Sequence, residues 1–156
     1  MPEITPNLWF DTQALEAAEF YVSVFPNSRI NQVTHYHASS AKAGQVLTVD
    51  FVIDGERIVG LNGGPEFTLD EAFSLQVDCE DQAEIDHYWD ALRAGGGEEG
   101  PCGWLKDRFG VSWQVVPKGI GDLIADGEPE RANRVMEALL KMGKLDAAAL
   151  RAAYDG

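Results

Sequence analysis

Cys102, Trp104 and Lys106 alternate in sequence, so an extended chain puts a thiol, an indole and an ammonium on one face. Such a wall supports two kinds of chemistry. A thiol becomes a nucleophile when a base or positive surroundings lower its pKa, and Lys106 is the only local candidate for that; an indole stacks on flat or cationic ligands and needs no activation. We read Trp104 as a stacking wall, with Cys102 beside it. His35 and His37 are spaced to share one face of a strand, as some metal pairs are, but no third ligand lies nearby, so they read as exposed strand histidines. His87 falls between the apolar positions of a helix and reads as surface. Asn62-Gly63-Gly64-Pro65 could offer amides to an anion, yet the same composition is what a strand-ending turn needs, which leaves Asn62 as a cavity contact. Gly95-Gly96-Gly97 follows a helical pattern, where glycine stops helices, whereas phosphate loops precede them.

The elements that position these residues are legible from periodicity. Residues 4–10 read as a short strand, and residues 14–25 change to helical spacing with Ala17, Phe20, Tyr21 and Val24 on one face. Pro26-Asn27 ends that helix. Strands follow at 29–38, 46–53 and 57–62, the last after an Asp54-Gly55 turn. The pattern then restarts: residues 74–79 alternate as a strand, and Asp81 has capping-box spacing to Glu84. Ile85, Tyr88, Trp89 and Leu92 each stand 68 residues after Ala17, Phe20, Tyr21 and Val24, which we read as an internal repeat. A strand at 102–107, a turn at Asp107-Arg108-Phe109-Gly110 and a strand at 112–116 close the second half. Helices fill the remainder, with Val135, Leu139 and Met142 on one face and Leu150 one turn from Tyr154.

This order makes the chain an α+β domain of two paired βαβββ modules, about 1–66 and 67–120, with a helical tail at 121–156. The expectation is a single domain whose mixed sheet curves around a cavity. Each module buries its helix on one sheet face, so the other face is free for a partner or ligand. On the last strand Ser112, Gln114 and Val116 oppose Trp113 and Val115; on the strand opening the second half, Ser74, Gln76 and Asp78 oppose Leu75, Val77 and Cys79. These mixed faces suit a cavity lining, with Trp9 and Trp104 as apolar walls and Asn62, Gln76 and Gln114 as orienting polar groups.

Bulk composition narrows the function classes. At 156 residues the chain suits one core. A net charge of −14 repels nucleic acid and anionic membrane surfaces; it serves solubility or attracts a cationic ligand. No apolar run has membrane-spanning length and the N-terminus lacks signal-peptide character, so the expected location is the cytoplasm. Two cysteines, neither in a CxxC pair, point to reduced thiols.

Several segments carry a family resemblance: Leu-Trp-Phe-Asp at 8–11, Glu-Phe-Tyr-Val-Ser-Val-Phe-Pro at 19–26, Leu-Asn-Gly-Gly-Pro at 61–65, Ser-Leu-Gln-Val-Asp-Cys-Glu-Asp at 74–81, the run from Cys102 to Pro117, and Lys-Met-Gly-Lys-Leu-Asp at 141–146. In this order they resemble the PhnB-like branch of the vicinal oxygen chelate superfamily, which includes glyoxalase I, extradiol dioxygenases and the fosfomycin- and bleomycin-resistance proteins, and which is often labelled 3-demethylubiquinone-9 3-methyltransferase. The resemblance implies a paired βαβββ fold and a homodimer. It places the superfamily's metal ligands near Thr5 or Pro6, near Asn62, and at Ser74 and Gln114, none of which is a good transition-metal ligand. The resulting expectation is a small-molecule-binding protein with no metal or other cofactor, whose ligand is unidentified and whose charge suits a cation. The alternatives are a metal-dependent lyase, isomerase or dioxygenase, or the methyl transfer named in the label.

Overall fold

Leu8 and Phe10 point the same way from a short extended segment, and both are buried beneath a helix whose inward residues are mostly alanines. The computed structural model describes residues 1–156, as two compact units, Met1–Leu69 and Asp70–Gly156. The first unit runs β1 (Asn7–Phe10), α1 (Ala14–Val24), β2 (Arg29–His35), β3 (Val46–Ile53) and β4 (Glu56–Asn62). Its sheet has the order β1-β4-β3-β2, parallel between β1 and β4 and antiparallel elsewhere.

Helix α1 lies close to the sheet because Gly60 faces Ala14: a Cβ added at Gly60 would stand 3.2 Å from that of Ala14. The close approach turns Ala14, Ala17, Ala18 and Tyr21 to the core and leaves Phe20 and Val24 only half-buried, so the helix is rotated from the face its aromatics suggest. Strand β2 ends at His35, after a register shift, so His37 leaves the strand and its ring meets Ser39 instead.

The second unit repeats the order with β5 (Ser74–Cys79), α2 (Gln82–Arg93), β6 (Glu98–Glu99), β7 (Trp104–Lys106) and β8 (Ser112–Pro117). Its sheet order is β5-β8-β7-β6, again with one parallel pair. Asp81 caps α2, its carboxylate accepting from the Glu84 N–H at 2.9 Å, while the Glu84 side chain accepts from the Glu80 N–H. The 68-residue repeat has a structural counterpart: Ile85 and Trp89 are buried as Ala17 and Tyr21 are, and Tyr88 is half-buried as Phe20 is. Strand β6 has no counterpart in the alternation pattern, and β7 starts only at Trp104.

Helices α3 (Ile120–Ile124), α4 (Pro129–Leu140) and α5 (Ala147–Asp155) complete the second unit. Val135, Leu145 and Leu150 pack with Val116 of β8, and Arg134 donates to the Ala153 and Tyr154 carbonyls at the end of α5. No helix is long and apolar enough to cross a membrane.

Candidate functional site

Strand register in the second unit assembles a polar face. Residues paired across strands share a face, so Ser74, Ser112, Lys106 and Glu98 form one row running β5-β8-β7-β6, and Gln76, Gln114 and Trp104 form the next. The opposite face, with Leu75, Val77, Trp113 and Val115, belongs to the α2 side. Three of the residues expected from sequence, Gln76, Gln114 and Trp104, are thereby brought together. Gln114 Nε2 donates to Ser74 Oγ at 2.9 Å, and Gln76 Nε2 donates to Asp78 at 2.9 Å.

At the β6–β7 end of this face lies a cavity of about 610 Å³, lined among others by Trp104, Cys102, Lys106, Ser112, Glu71 and Glu98. Cys102 does not extend the strand. It sits in the Pro101–Trp104 turn with φ of 59°, followed by Gly103 at 81°, and the turn is tied to the tail: the Cys102 and Gly103 N–H groups donate to the Met142 and Gly143 carbonyls at 2.7 and 2.8 Å. Gln82 bridges the same segment, donating to the Leu145 carbonyl and accepting from the Ala147 N–H. The tail motif at 141–146 therefore buttresses one wall of the cavity.

Charge in the cavity is unevenly committed. Lys106 pairs with Glu71, and this hydrogen bond, reinforced by the charges of Glu98 and Asp70, raises the lysine's pKa and keeps the amine protonated. Lys106 is thus unsuited to act as an amine nucleophile or base near neutrality. Glu99 is engaged by Arg93 at 3.4 Å and by Trp89 Nε1 at 3.2 Å. Ser112 is 1% exposed, and its hydroxyl has no hydrogen-bond partner.

Cys79 lies on the other face, buried; desolvation, with the Glu84, Asp78 and Asp81 carboxylates adding to it, pushes its thiol up to about 12. Half-buried Cys102 opens onto the cavity. A thiol-reactive chromogen near pH 8 should therefore titrate one cysteine quickly and the other only as fast as the fold opens. Cys102→Ser should abolish the fast phase; two fast thiols in the native protein would refute the assignment.

The first unit holds the other two expected residues, on opposite faces of its sheet, since Trp9 pairs with Leu61 and Phe10 with Asn62. Trp9 lies over Gly63, where a Cβ would come within 2.3 Å of the ring, and its Nε1 donates to the Gly64 carbonyl at 2.9 Å. Phe67 packs edge-on against it. The Asn-Gly-Gly-Pro turn is thus shaped to receive an indole. Asn62 is 5% exposed and borders a second cavity of about 620 Å³ that also touches Tyr36 and Lys42. Both ends of its amide are engaged: Oδ1 accepts from the Ala14 N–H at 2.8 Å and Nδ2 donates to the Val46 carbonyl at 3.2 Å. Because Gln13 offers no side-chain cap, Asn62 supplies one to α1 from across the unit.

This fold and these motifs have counterparts among known proteins. The family model described as 3-demethylubiquinone-9 3-methyltransferase matches residues 2–116. The chain belongs to this PhnB-like family of the vicinal oxygen chelate superfamily. A PhnB protein from Bacillus cereus, provisionally described as a 3-demethylubiquinone-9 3-methyltransferase, is 32% identical with a TM-score of 0.65, the match covering 74% of this chain and 99% of that one. Two more distant structures share the fold. One is a Pseudomonas aeruginosa protein at 19% identity and TM-score 0.63, covering 76% and 98% of the two chains. The other is the fosfomycin resistance protein FosX of Listeria monocytogenes, complexed with Mn(II) and sulfate, at 15% identity and TM-score 0.54, covering 73% and 89%. No curated protein matches the chain.

The metal in FosX raises the question of whether this PhnB-like chain offers equivalent donors. At the positions the superfamily resemblance indicates, the second unit has Ser74 and Gln114, neutral and hydrogen-bonded to each other, and the first has Thr5 or Pro6 and the fully engaged Asn62. Nowhere do three His, Cys, Asp or Glu side chains converge as metal ligands. Neutral hydroxyls and amides lack the basicity a divalent transition metal requires, so the donor set does not fit.

Proposed function

We propose that this PhnB-like protein binds a small cationic molecule without a metal ion, using the second unit's cavity. One observation carries the reading: a cavity of about 610 Å³ in which Trp104 stands among Glu71, Glu98 and Glu99 with Lys106 as the sole cation. Its size is that of a drug-sized ligand site. An indole face and excess carboxylate are the two features that recognise an organic cation, by cation–π attraction and by charge. The net charge of −14 adds a field that draws cations inward. Gln76 and Gln114 continue the row of Trp104 beyond the residues that line the cavity, and their amides donate to Asp78 and Ser74.

Methyl transfer, named in the family description, draws no support from the glycine-rich segments. Gly95 and Gly96, with φ of 75° and 120°, end α2 rather than open a helix, so their N–H groups are not arrayed as a cofactor-phosphate cradle.

The test joins metal analysis to ligand binding. Purified untagged protein should carry substoichiometric metal, and manganese, nickel or zinc should leave its melting temperature unchanged. A metal at a hundred times its Kd would add about 2.7 kcal/mol, or about 5–10 °C in a domain of this size, so binding could not escape notice. A stoichiometric metal with such a shift would replace this proposal with a metal-dependent lyase, isomerase or dioxygenase. In parallel, cationic aromatic amines should shift the Trp104 indole N–H resonance, and Trp104→Ala should weaken their binding at least tenfold.

A further inference from the structure

A buried hydroxyl without a partner is uncommon, because the lost hydration is not recovered. Ser112 Oγ is such a group, and it borders the cavity. Directly opposite on β7 stands Lys106. Cross-strand partners hold their Cβ atoms about 4.5–5.5 Å apart, so both side chains project from neighbouring points of one face. Lys106 gives one N–H to Glu71, and an ammonium has three. A hydroxyl O–H and a spare ammonium N–H therefore converge where no acceptor of the protein meets the hydroxyl.

Two converging donors call for an acceptor oxygen on the ligand, and the surrounding charge selects its kind. The Glu98 carboxylate, next along the row, is in no salt bridge, and Glu71 already pairs with Lys106. A ligand carboxylate would face Glu98 on the same side of the sheet with too little compensation, whereas Glu99 points to the other face and is engaged by Arg93. A neutral carbonyl oxygen avoids that repulsion, and an ammonium elsewhere on the same ligand can reach Glu98.

We propose that Ser112 and Lys106 form a carbonyl-oxygen subsite, so that the ligand is an amine carrying an uncharged amide or ketone oxygen, with its apolar body against Trp104. This rests on the cation-binding reading of the same cavity. The ligand's oxygen accepts from Ser112 Oγ and Lys106 Nζ, its ammonium donates to Glu98, and no covalent step is involved. Ser112 thus determines specificity, and a hydroxyl with no partner in the protein is the cost of that role.

Three probes separate the two levels of the proposal: phenylalaninamide (amine, aromatic ring and amide oxygen), 2-phenylethylamine (no carbonyl) and phenylalanine (carboxylate). Binding is followed by NMR titration of the Trp104 indole N–H. Phenylalaninamide should bind about fivefold more tightly than 2-phenylethylamine, the worth of one well-made hydrogen bond, and phenylalanine more weakly than either. Ser112→Ala should remove a large part of the advantage of phenylalaninamide over 2-phenylethylamine, the remainder being the Lys106 bond, and leave 2-phenylethylamine unchanged. The variant should melt no lower than the parent, since it removes an orphaned polar group, which distinguishes lost recognition from lost structure. Equal affinities for phenylalaninamide and 2-phenylethylamine, or a Ser112→Ala effect equal on both, would overturn the carbonyl subsite while leaving cation binding in place. Failure of every probe to move Trp104 would overturn both.

Discussion

Asp107→Ala should lower the unfolding free energy by about 3–5 kcal/mol, the range for truncating a buried group that holds several donors. Asp107 is 3% exposed, and its two oxygens receive three hydrogen bonds: from the Phe109 and Val111 N–H groups at 2.8 and 3.1 Å, and from Trp113 Nε1 at 2.8 Å. Alanine leaves these donors facing a small void from which they cannot all reach water. Asparagine should recover part of the loss, because its oxygen can still accept from the backbone pair, but its NH₂ then opposes the Trp113 N–H, donor against donor. Since domains are stable by only about 5–15 kcal/mol in all, the alanine variant should lose a large share of its stability margin. Urea midpoints measure this directly, and a change below about 1 kcal/mol would show that the network is dispensable. The functional stake is that Asp107 closes the β7–β8 hairpin carrying Trp104, Lys106, Ser112 and Gln114, so the cavity wall and the fold share one carboxylate.

Why the turn at 107–110 was legible and the role of Asp107 was not illustrates where sequence reading stops. Asp and Gly between two alternating runs are a local signal, whereas the partners that make the carboxylate structural, above all Trp113, are set by hairpin register. The polar face of the second sheet was readable for the same local reason: alternation puts Gln76, Gln114 and Trp104 on consistent sides, and register then aligns them in one row. Alternation does not reveal that Ser112, one more polar residue of that face, lacks a partner, because that depends on everything around it. Strand β6 is not legible in the sequence because Glu98 and Glu99, after three glycines, have neither β propensity nor alternation and extend only by pairing with β7. Asn62 read as a cavity contact by its type; the uncapped first turn of α1 that engages it lies 48 residues away in sequence. The helix repeat was visible from spacing, but the rotation of α1 toward its alanines was decided by Gly60 on a different strand.

Gly103→Ala should cost about 3 kcal/mol or more and weaken ligand binding, whereas Gly110→Ala should cost only about 1–2 kcal/mol. The pair isolates collision from backbone strain. Both glycines have positive φ, 81° and 89°, so both substitutions incur the penalty of about 1–2 kcal/mol for a left-handed L-residue. Around Gly110 there is nothing within 4 Å of a new Cβ, so that penalty is the whole effect. At Gly103 the Cβ would stand 2.9 Å from Leu145 Cγ and Cδ1 and 2.9 Å from the Val115 carbonyl oxygen. Leu145 is itself buried in the cluster of Val116, Val135 and Leu150, and the Val115 backbone is held by the sheet, so neither can withdraw without repacking, which typically adds about 1–3 kcal/mol. The accommodation that remains is to displace the 101–104 turn, whose hydrogen bonds to Met142 and Gly143 tie the cavity wall to the tail. Urea unfolding of both variants, with phenylalaninamide titrations monitored at Trp104, reads the two consequences separately. Equal destabilisation by the two substitutions would mean that the tail does not hold the turn, and unchanged affinity in a destabilised Gly103→Ala protein would mean that the turn does not shape the site.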